Sequence, residues 1–210
     1  MSENTRKLSC ADCGVLNCNV QNKKYPDFCL TTHMNKEVMQ SAMAEYEKED
    51  IKKIMHNAAE VEFEGYGVYP RVQEVAEFAK RMGFKKIGIA TCVGLIHETR
   101  ALAKVLRGYG FEVYGIGCKV GAVPKTEVGI DEKCNAIGVN MCNPILQAKL
   151  LNEEETELNV VMGLCVGHDS LFYKYSQAIV TTLVTKDRVL GHNPVAALYQ
   201  LESFYKKLLP

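Results

Sequence analysis

The segment Lys86-Ile87-Gly88-Ile89-Ala90-Thr91-Cys92-Val93-Gly94 decides the fold. Its short apolar run is typical of a buried parallel strand, and Cys92-Val93-Gly94 ends that strand. A helical pattern follows from Leu95 to Arg107, and Phe111 to Gly117 predicts a second strand that ends at Cys118. The order predicts a strand–helix–strand unit with a cysteine after each strand.

Downstream of this unit the chain repeats the same alternation. Cys142-Asn143-Pro144 predicts a helix start, because Asn favours the N-cap and Pro the first helical position. Leu158 to Leu164 predicts a third strand, which delivers the chain to Gly163-Leu164-Cys165-Val166-Gly167-His168-Asp169. A short helix and a fourth strand, Ala178 to Val184, follow, and Asn193-Pro194 predicts the start of a last amphipathic helix.

Helical patterns also precede the first strand, over Asn35 to Ala58 and Val72 to Met82. Strands that alternate with helices predict an α/β fold, a three-layer Rossmann-like parallel sheet of about four strands. We expect residues 34–210 to form this α/β domain with its N-terminal helices. Residues 1–33 are expected to form a separate cysteine-rich segment that binds a metal or cluster.

Composition limits the classes of function. The 210 residues contain 25 Lys and Arg against 25 Asp and Glu, and no basic block, so neither nucleic acid nor a membrane surface is expected as a partner. Met1 to Leu8 lacks the apolar core of a signal peptide, and no apolar run could span a bilayer. A cytoplasmic protein is therefore expected. Nine cysteines in a reducing compartment favour metal or redox chemistry over disulfides.

Four of these cysteines, here called the N-terminal cysteines, lie within the first 30 residues with the spacing C-x2-C-x4-C-x10-C: Cys10, Cys13, Cys18 and Cys29. Few apolar residues surround them, so a metal is expected to organise the segment. Structural zinc usually takes two close cysteine pairs, whereas iron–sulfur sites often use an irregular series with one remote cysteine. The spacing favours an iron–sulfur cluster, of the 4Fe–4S type, and zinc is the alternative.

Four further cysteines, here called the edge thiols, are expected at one edge of the sheet: Cys92, Cys118, Cys142 and Cys165. Three of them end strands, and parallel strands end at the same edge, where such folds bind ligands. Cys142 and His192 each precede an Asn-Pro helix start, beside an N-terminus that stabilises thiolates. The edge thiols are interpreted as ligands of a second cluster or metal, as redox thiols, or as small core residues.

Other side chains are candidates for supporting roles. His168 and Asp169 are acid/base or orienting candidates beside Cys165, although Asp169 is equally interpreted as a helix cap, and His192 is a third candidate. Cationic residues near the strand ends are consistent with an anionic substrate or with ordinary surface charge. Cys134, in the long irregular segment 119–141, has no assigned role.

The chain resembles, over nearly its full length, a family of small cysteine-rich proteins of unknown function that are described as metal-binding and met mainly in anaerobic microbes. The resemblance rests on the N-terminal cysteines, on Thr91-Cys92-Val93-Gly94-Leu95 and on Gly163 to Asp169. It rests also on Cys118-Lys119, on Cys142-Asn143-Pro144 and on the run from Lys186 to Pro194. The resemblance implies metal binding at these cysteines, and an anaerobic setting would favour iron–sulfur over zinc.

Together these features predict a metal-binding redox protein, with one cluster at the N-terminal cysteines and a second site at the sheet edge. The reaction is undefined, and an iron–sulfur oxidoreductase is the enzyme class considered. A non-enzymatic zinc-binding or metal-sensing protein is the alternative, and a third hypothesis makes Cys165 a nucleophile activated by His168. Redox function implies an electron donor or acceptor protein as partner, and the last helix is expected to pack on the sheet or on a second copy of the chain.

Overall fold

The structure is a computed structural model that describes residues 6–209. The chain forms two compact units, Met1–His56 and Asn57–Pro210. The first unit contains a 3-10 turn at Cys10–Asp12, helix α1 at Leu30–His33, helix α2 at Lys36–Glu45 and the start of helix α3 at Glu49–Gly65. The expectation based on Met1 to Leu8 falls largely on residues 1–5, outside the described part, and the boundary after residue 33 stays a prediction.

The second unit contains a four-stranded sheet. Its strands are β1 at Lys86–Thr91, β2 at Glu112–Gly117, β3 at Leu158–Met162 and β4 at Ile179–Val184. The strands lie in the order β2-β1-β3-β4, and every pair is parallel. The predicted parallel α/β fold is confirmed, and β1 begins and ends where the sequence pattern predicts.

Helices cover both faces of this sheet. On one face α4 at Arg71–Met82 and α5 at Ile96–Gly108 pack against the core cluster that contains Ile87, Ile89 and Leu106. On the other face α6 at Pro144–Glu153 and α7 at His168–Tyr175 enclose a second cluster with Ala148, Leu151 and Phe172. Burying each large apolar side chain contributes about 1.5–3 kcal/mol, so both layers stabilise the sheet. The three-layer architecture is confirmed.

Close packing explains one glycine in the central strand. A Cβ atom at Gly88 would overlap the side-chain oxygen of Asn159 on β3 and crowd Leu151 on α6. Asn159 is fully buried, and its amide is bonded to Thr156 at 2.8 Å and to Ser176 at 2.9 Å. A buried polar group needs such partners, so the sheet uses glycine here to leave them room.

The strand order creates a switch point between β1 and β3. From β1 the chain moves outward to β2, and it then crosses back to β3 on the other side of β1. The helices of these two connections, α5 and α6, contribute to opposite faces. Doubly wound sheets leave a crevice beyond the carboxyl ends of the strands at such a point, which is where they bind ligands.

The last helix is shorter than the sequence predicts. Helix α8 covers only Val195–Leu198, and irregular turns and a 3-10 turn at Lys206–Leu208 follow. Leu198, Tyr199 and Phe204 are exposed, so the apolar stripe that predicts a helix is not buried. Because short helices depend on tertiary packing, the stripe alone does not support one. Within residues 6–209, none of the helices has the length and apolar character that crossing a membrane requires.

Candidate functional site

Two edge thiols follow neighbouring strands in register. Thr91 on β1 pairs with Gly117 on β2, so Cys92 and Cys118 leave the sheet side by side. Backbone bonds fix both residues: the Cys92 N–H donates to the Met162 carbonyl at 3.1 Å, and the Cys118 N–H donates to the Thr91 carbonyl at 2.8 Å. Neighbouring strands are about 4.8 Å apart, so the fold itself brings these two thiols close together.

Cys142 joins them from the other end of the long connection. The N–H of Asn143 donates to the Cys118 carbonyl at 2.8 Å, which draws the start of α6 onto the end of β2. The Asn143 side chain accepts from Leu146 N–H at 3.0 Å and caps the helix, as the sequence predicts. Cys142 therefore lies beside a helix N-terminus, where the dipole favours a thiolate by about 0.3–1 kcal/mol.

The three sulfur atoms interact in series, with Cys118 in the middle. Cys118 is buried, and it also accepts a bond from the Val93 N–H at 3.5 Å. The interaction with Cys118 lowers the pKa of Cys92 to about 5, and with help from His168 it lowers the pKa of Cys142 to about 4. The contacts with its two neighbours raise the pKa of Cys118. These shifts favour a proton on Cys118 and thiolates at Cys92 and Cys142.

His168 belongs to this group through Cys142. The hydrogen bond between the imidazole and the Cys142 sulfur raises the pKa of His168. His168 begins α7, where its backbone N–H donates to the Cys165 carbonyl at 2.9 Å. The hypothesis that pairs His168 with Cys165 is thereby modified, since the imidazole interacts with the Cys142 thiol.

Cys165 has a different partner. The Arg188 guanidinium donates to the Cys165 sulfur at 3.1 Å. Gly163, two residues earlier, has a φ of 70°, and its N–H donates to the Val184 carbonyl at 2.7 Å. A Cβ atom at Gly163 would overlap the Leu95 side chain, so glycine is needed for both its backbone conformation and its packing.

A cavity of about 700 Å³, here called the edge cavity, opens at this side of the sheet. All four edge thiols contribute to its wall. Its other charged or titratable lining residues are Lys119, Lys125, His168, Lys186, Asp187, Arg188 and His192. Because ligand pockets usually have about 300–1,000 Å³, the edge cavity is large enough for a small organic molecule beside the thiols.

Each edge thiol except the buried Cys118 has a cation close to it. Lys186 lies near Cys92, Lys119 lies near Cys142, and Arg188 contacts Cys165. The lysines near Cys92 and Cys142 help to lower the pKa values of these two thiols. The sequence predicts cationic residues near the strand ends, but the pairing of each with a particular thiol follows only from the fold.

Sequence reasoning missed Gln147, which forms hydrogen bonds to the ends of two strands that precede edge thiols. Its side-chain amide is buried in α6 and donates to the Thr91 carbonyl at 3.1 Å and to the Ile116 carbonyl at 2.6 Å. Its Oε1 atom has no hydrogen-bond partner among the described residues. The signal in the sequence was a glutamine on the buried side of a predicted helix, because a buried amide needs hydrogen-bond partners.

The remaining candidates lie around the edge cavity or outside it. Asp169 accepts from the Ser170 N–H at 2.8 Å within the first turn of α7, and it is not part of the cavity lining.

His192 lines the cavity, and its Nδ1 accepts from the Asp187 N–H at 3.1 Å. The helix start predicted after His192 is found, since α8 begins at Val195, but its N-cap is Pro194 and no side chain caps it. Cys134 is half-buried, and its carbonyl accepts from Lys125.

The N-terminal cysteines are less enclosed. Cys10 and Cys18 are exposed, Cys13 is half-buried and Cys29 is buried at the start of α1. The Thr31 hydroxyl lies 3.7 Å from the Cys18 sulfur. Burial opposes ionisation of Cys29, but hydrogen bonds from Thr31 and Thr32 lower its pKa overall. Thr31 is therefore a neighbour that these two cysteines share.

Each group offers four free thiols, the donor type that thiophilic metals prefer. In residues 6–209, however, no three histidine, cysteine, aspartate or glutamate side chains surround a point that could hold a metal ion. Three of the edge thiols, Cys92, Cys118 and Cys142, interact in series instead of around one centre. A single zinc ion needs its sulfur ligands about 2.3 Å from one point, whereas in a cluster the thiolates are spread over several iron atoms.

Comparison with known proteins identifies the family. A family described as a protein of unknown function (DUF1847) matches residues 29–183, which include all four edge thiols. An uncharacterized protein of Methanocaldococcus jannaschii, MJ0455, is 44% identical over 195 residues, covering 92% of this chain and 98% of that protein. The chain belongs to the DUF1847 family. The family description names no metal and no reaction.

Proposed function

We propose that the protein is a metal-binding redox protein in which the edge thiols bind an iron–sulfur cluster and the N-terminal cysteines bind another, of the 4Fe–4S type. One observation supports this most strongly. Three thiols from three separate parts of the chain, Cys92, Cys118 and Cys142, interact with one another at the switch point of the sheet. The register of β1 and β2 brings the first two thiols together, and the bond between Asn143 and Cys118 adds the third.

The polar surroundings of the edge thiols support the same proposal. A thiolate, and not a thiol, is the form that binds metals. His168 and Lys119 lie beside Cys142, and Lys186 lies beside Cys92, and these groups favour that form. Together with the start of α6, these cations would also offset the net negative charge of a thiolate-bound cluster.

Bound iron–sulfur clusters accept and donate single electrons. The residues of this chain would supply the ligands and tune the site through charge and hydrogen bonds. The Val93 N–H donates to the Cys118 sulfur and Arg188 donates to the Cys165 sulfur, and both are hydrogen bonds of this kind. Bonds to ligand sulfur raise the reduction potential of clusters, because they stabilise the more negative, reduced state.

The test is metal analysis of the full chain purified without oxygen. We expect brown protein with about eight iron and eight sulfide per chain, from two 4Fe–4S clusters. Cys118→Ser should lose about half of both, whereas the matched variant Cys134→Ser should lose neither. A colourless protein with stoichiometric zinc would replace this proposal with its alternative, a zinc-binding or metal-sensing protein that performs no redox reaction.

A further inference from the structure

We infer that the edge cavity is the binding site for a small organic anion, held by Arg188 and Lys186 beside the thiols. This inference deepens the proposed function, because it names the class of molecule that would react at, or be sensed by, the edge centre. The binding itself depends on the cavity and its cations. It can therefore be measured whether or not a cluster is present.

The charge of the edge cavity is the first argument. Four basic side chains, Lys119, Lys125, Lys186 and Arg188, stand in its lining against one carboxylate, that of Asp187. That carboxylate is engaged elsewhere, because one of its oxygens accepts from the N–H groups of Val189 at 2.9 Å and Leu190 at 2.8 Å. Cys92 and Cys142, whose pKa values are lowered, add negative charge to the lining, but the four basic side chains still outnumber these two thiols and the Asp187 carboxylate. An anion in the cavity would thus meet an excess of positive charge.

The four basic side chains of the lining differ in the groups that they already contact. Lys125 is buried, and its ammonium donates to the carbonyls of Cys134 and Gly138, so it fastens the long loop. Lys119 donates to the Asn140 carbonyl at 2.5 Å. Arg188 donates to the Cys165 sulfur, and Lys186 lies near the Cys92 thiol. Among the described residues neither cation donates to a backbone carbonyl, so both have donors left for a ligand.

The geometry of Arg188 suits an anionic oxygen. It contacts the Cys165 sulfur through Nη2, and a guanidinium has five N–H donors, so one sulfur contact leaves other donors for a carboxylate or phosphate. Arg188 is exposed and stands on the wall of the cavity, where a ligand can reach it from solvent.

The apolar part of the wall indicates an organic ligand. Val93, Ile130, Ile137 and Met141 line the cavity, and Ile137 is 86% exposed. Ile130 and Ile137 belong to the loop that Lys125 fastens, and an exposed isoleucine gains stability when a carbon skeleton covers it. A small carboxylate with a few carbon atoms matches the combination of charge and apolar surface better than an inorganic ion does.

The switch point supports the same location. The edge cavity lies beyond the carboxyl ends of β1 and β3, where the strand order reverses. Doubly wound folds hold their small ligands in this crevice. Here the thiols occupy the floor of the crevice, so a ligand bound by Arg188 and Lys186 would lie against them.

Calorimetric titration of the full chain tests the inference, with succinate, citrate, inorganic phosphate and the neutral diamide succinamide as probes. We expect the anions to bind and succinamide not to bind, with affinity falling as salt rises. Arg188→Gln and Lys186→Gln should each weaken binding about tenfold or more, since bonds to charged groups are worth about 1.5–3 kcal/mol. The matched variants Arg100→Gln and Lys104→Gln, on α5 and outside the cavity lining, should bind as the natural protein does.

Each titration is carried out on metal-containing and on metal-free protein, so that the two proposals are tested separately. Binding in either form that is lost in Arg188→Gln supports the anion site, even if no iron is found. Tighter binding of inorganic phosphate than of succinate or citrate would contradict an organic ligand. The inference is overturned if no probe binds in either form, if succinamide binds as well as succinate, or if Arg188→Gln binds unchanged.

A change in the electron paramagnetic resonance spectrum of the reduced protein provides a second readout. Succinate or citrate bound beside the edge thiols should alter the spectrum of the edge cluster in the natural protein. The same addition should leave the spectrum of Arg188→Gln unchanged. A spectrum that the anions never alter, in a protein that binds them, would contradict a site beside the thiols.

Discussion

Two groups of four cysteines share this chain, and the protein supports them differently. Around the N-terminal cysteines there is one 3-10 turn and a four-residue helix, and two of the four side chains are exposed. The edge thiols follow strands and a capped helix of a three-layer domain, and none of them is exposed. The fold thus arranges most of the second group in advance, whereas under the proposed function a bound metal would order the first group.

Removal of one N-terminal ligand should give the largest effect and sharpen this contrast. In Cys13→Ser we expect residues 6–33 to become sensitive to protease, because apparent metal-binding energies of about 10–16 kcal/mol support small metal-organised segments. Limited proteolysis with mass spectrometry measures the change. The thermal unfolding of the unit Asn57–Pro210 serves as the control and should be unaltered, and equal loss of order in both units would remove the distinction between the two groups.

A substitution at Gly163 should test how strongly the fold determines the edge. In Gly163→Ala the methyl group would overlap Leu95, and alanine would be forced to a φ of 70°. We expect a loss of about 3 kcal/mol in the free energy of unfolding, the sum of backbone strain and overpacking. Urea unfolding measures it.

Gly167→Ala is the matched control for this substitution. Its φ is 82°, but no atom lies within 4 Å of the added methyl group, so it should lose only about 1–2 kcal/mol. Equal losses in the two variants would show that the contact with Leu95 does not restrict the turn before Cys165.

Substitution of Gln147 should have a smaller effect on the free energy of unfolding and a specific effect on the reactivity of Cys118. Gln147→Met keeps the volume but removes the bonds to the Thr91 and Ile116 carbonyls, so we expect a loss of about 1 kcal/mol. Cys118 should react faster with iodoacetamide in the metal-free variant, since the strand ends that enclose it are less restrained. Unchanged reactivity, with the stability loss present, would assign Gln147 to the fold alone.

The smallest expected effect concerns the charge of one edge thiol. The pKa of Cys142 is lowered to about 4 by Cys118 and His168, so the metal-free protein should alkylate at Cys142 well below the pH at which an ordinary thiol reacts. In His168→Asn one of these influences is lost, and the midpoint of the rate–pH curve should rise by about one pH unit. At pH 9 the rates of both proteins should agree, and an unshifted midpoint would show that His168 does not stabilise the thiolate.

Local patterns determined how much of the fold could be predicted. β1 and the Asn143 cap follow from the nearby sequence alone, and the structure confirms both. The predicted length of the last helix is wrong because most of its apolar side chains from Val195 onward are exposed. Periodicity cannot indicate whether such a stripe has a surface to pack against. Long-range contacts were equally hidden, since Arg188 and Cys165 are 23 residues apart and Gln147 reaches Thr91 across 56 residues.

For the site, the shared edge of Cys92, Cys118 and Cys165 could be predicted because parallel strands end together. The order in which the thiols interact could not, because it depends on the bond between Asn143 and Cys118 that closes the long loop. The same limit explains why sequence spacing pairs His168 with Cys165, its neighbour in the chain, whereas the imidazole interacts with Cys142.

The central claim is that the edge thiols bind a cluster of their own, and iron and sulfide counted in Cys13→Ser test it most directly. In this variant, purified without oxygen, we expect about four iron and four sulfide per chain and the resonance signal of one reduced 4Fe–4S cluster. Adding Cys118→Ser to Cys13→Ser should remove the remaining iron, sulfide and signal. A Cys13→Ser protein that already contains no iron, while the natural protein does, would contradict the account, because the edge thiols would then bind no cluster.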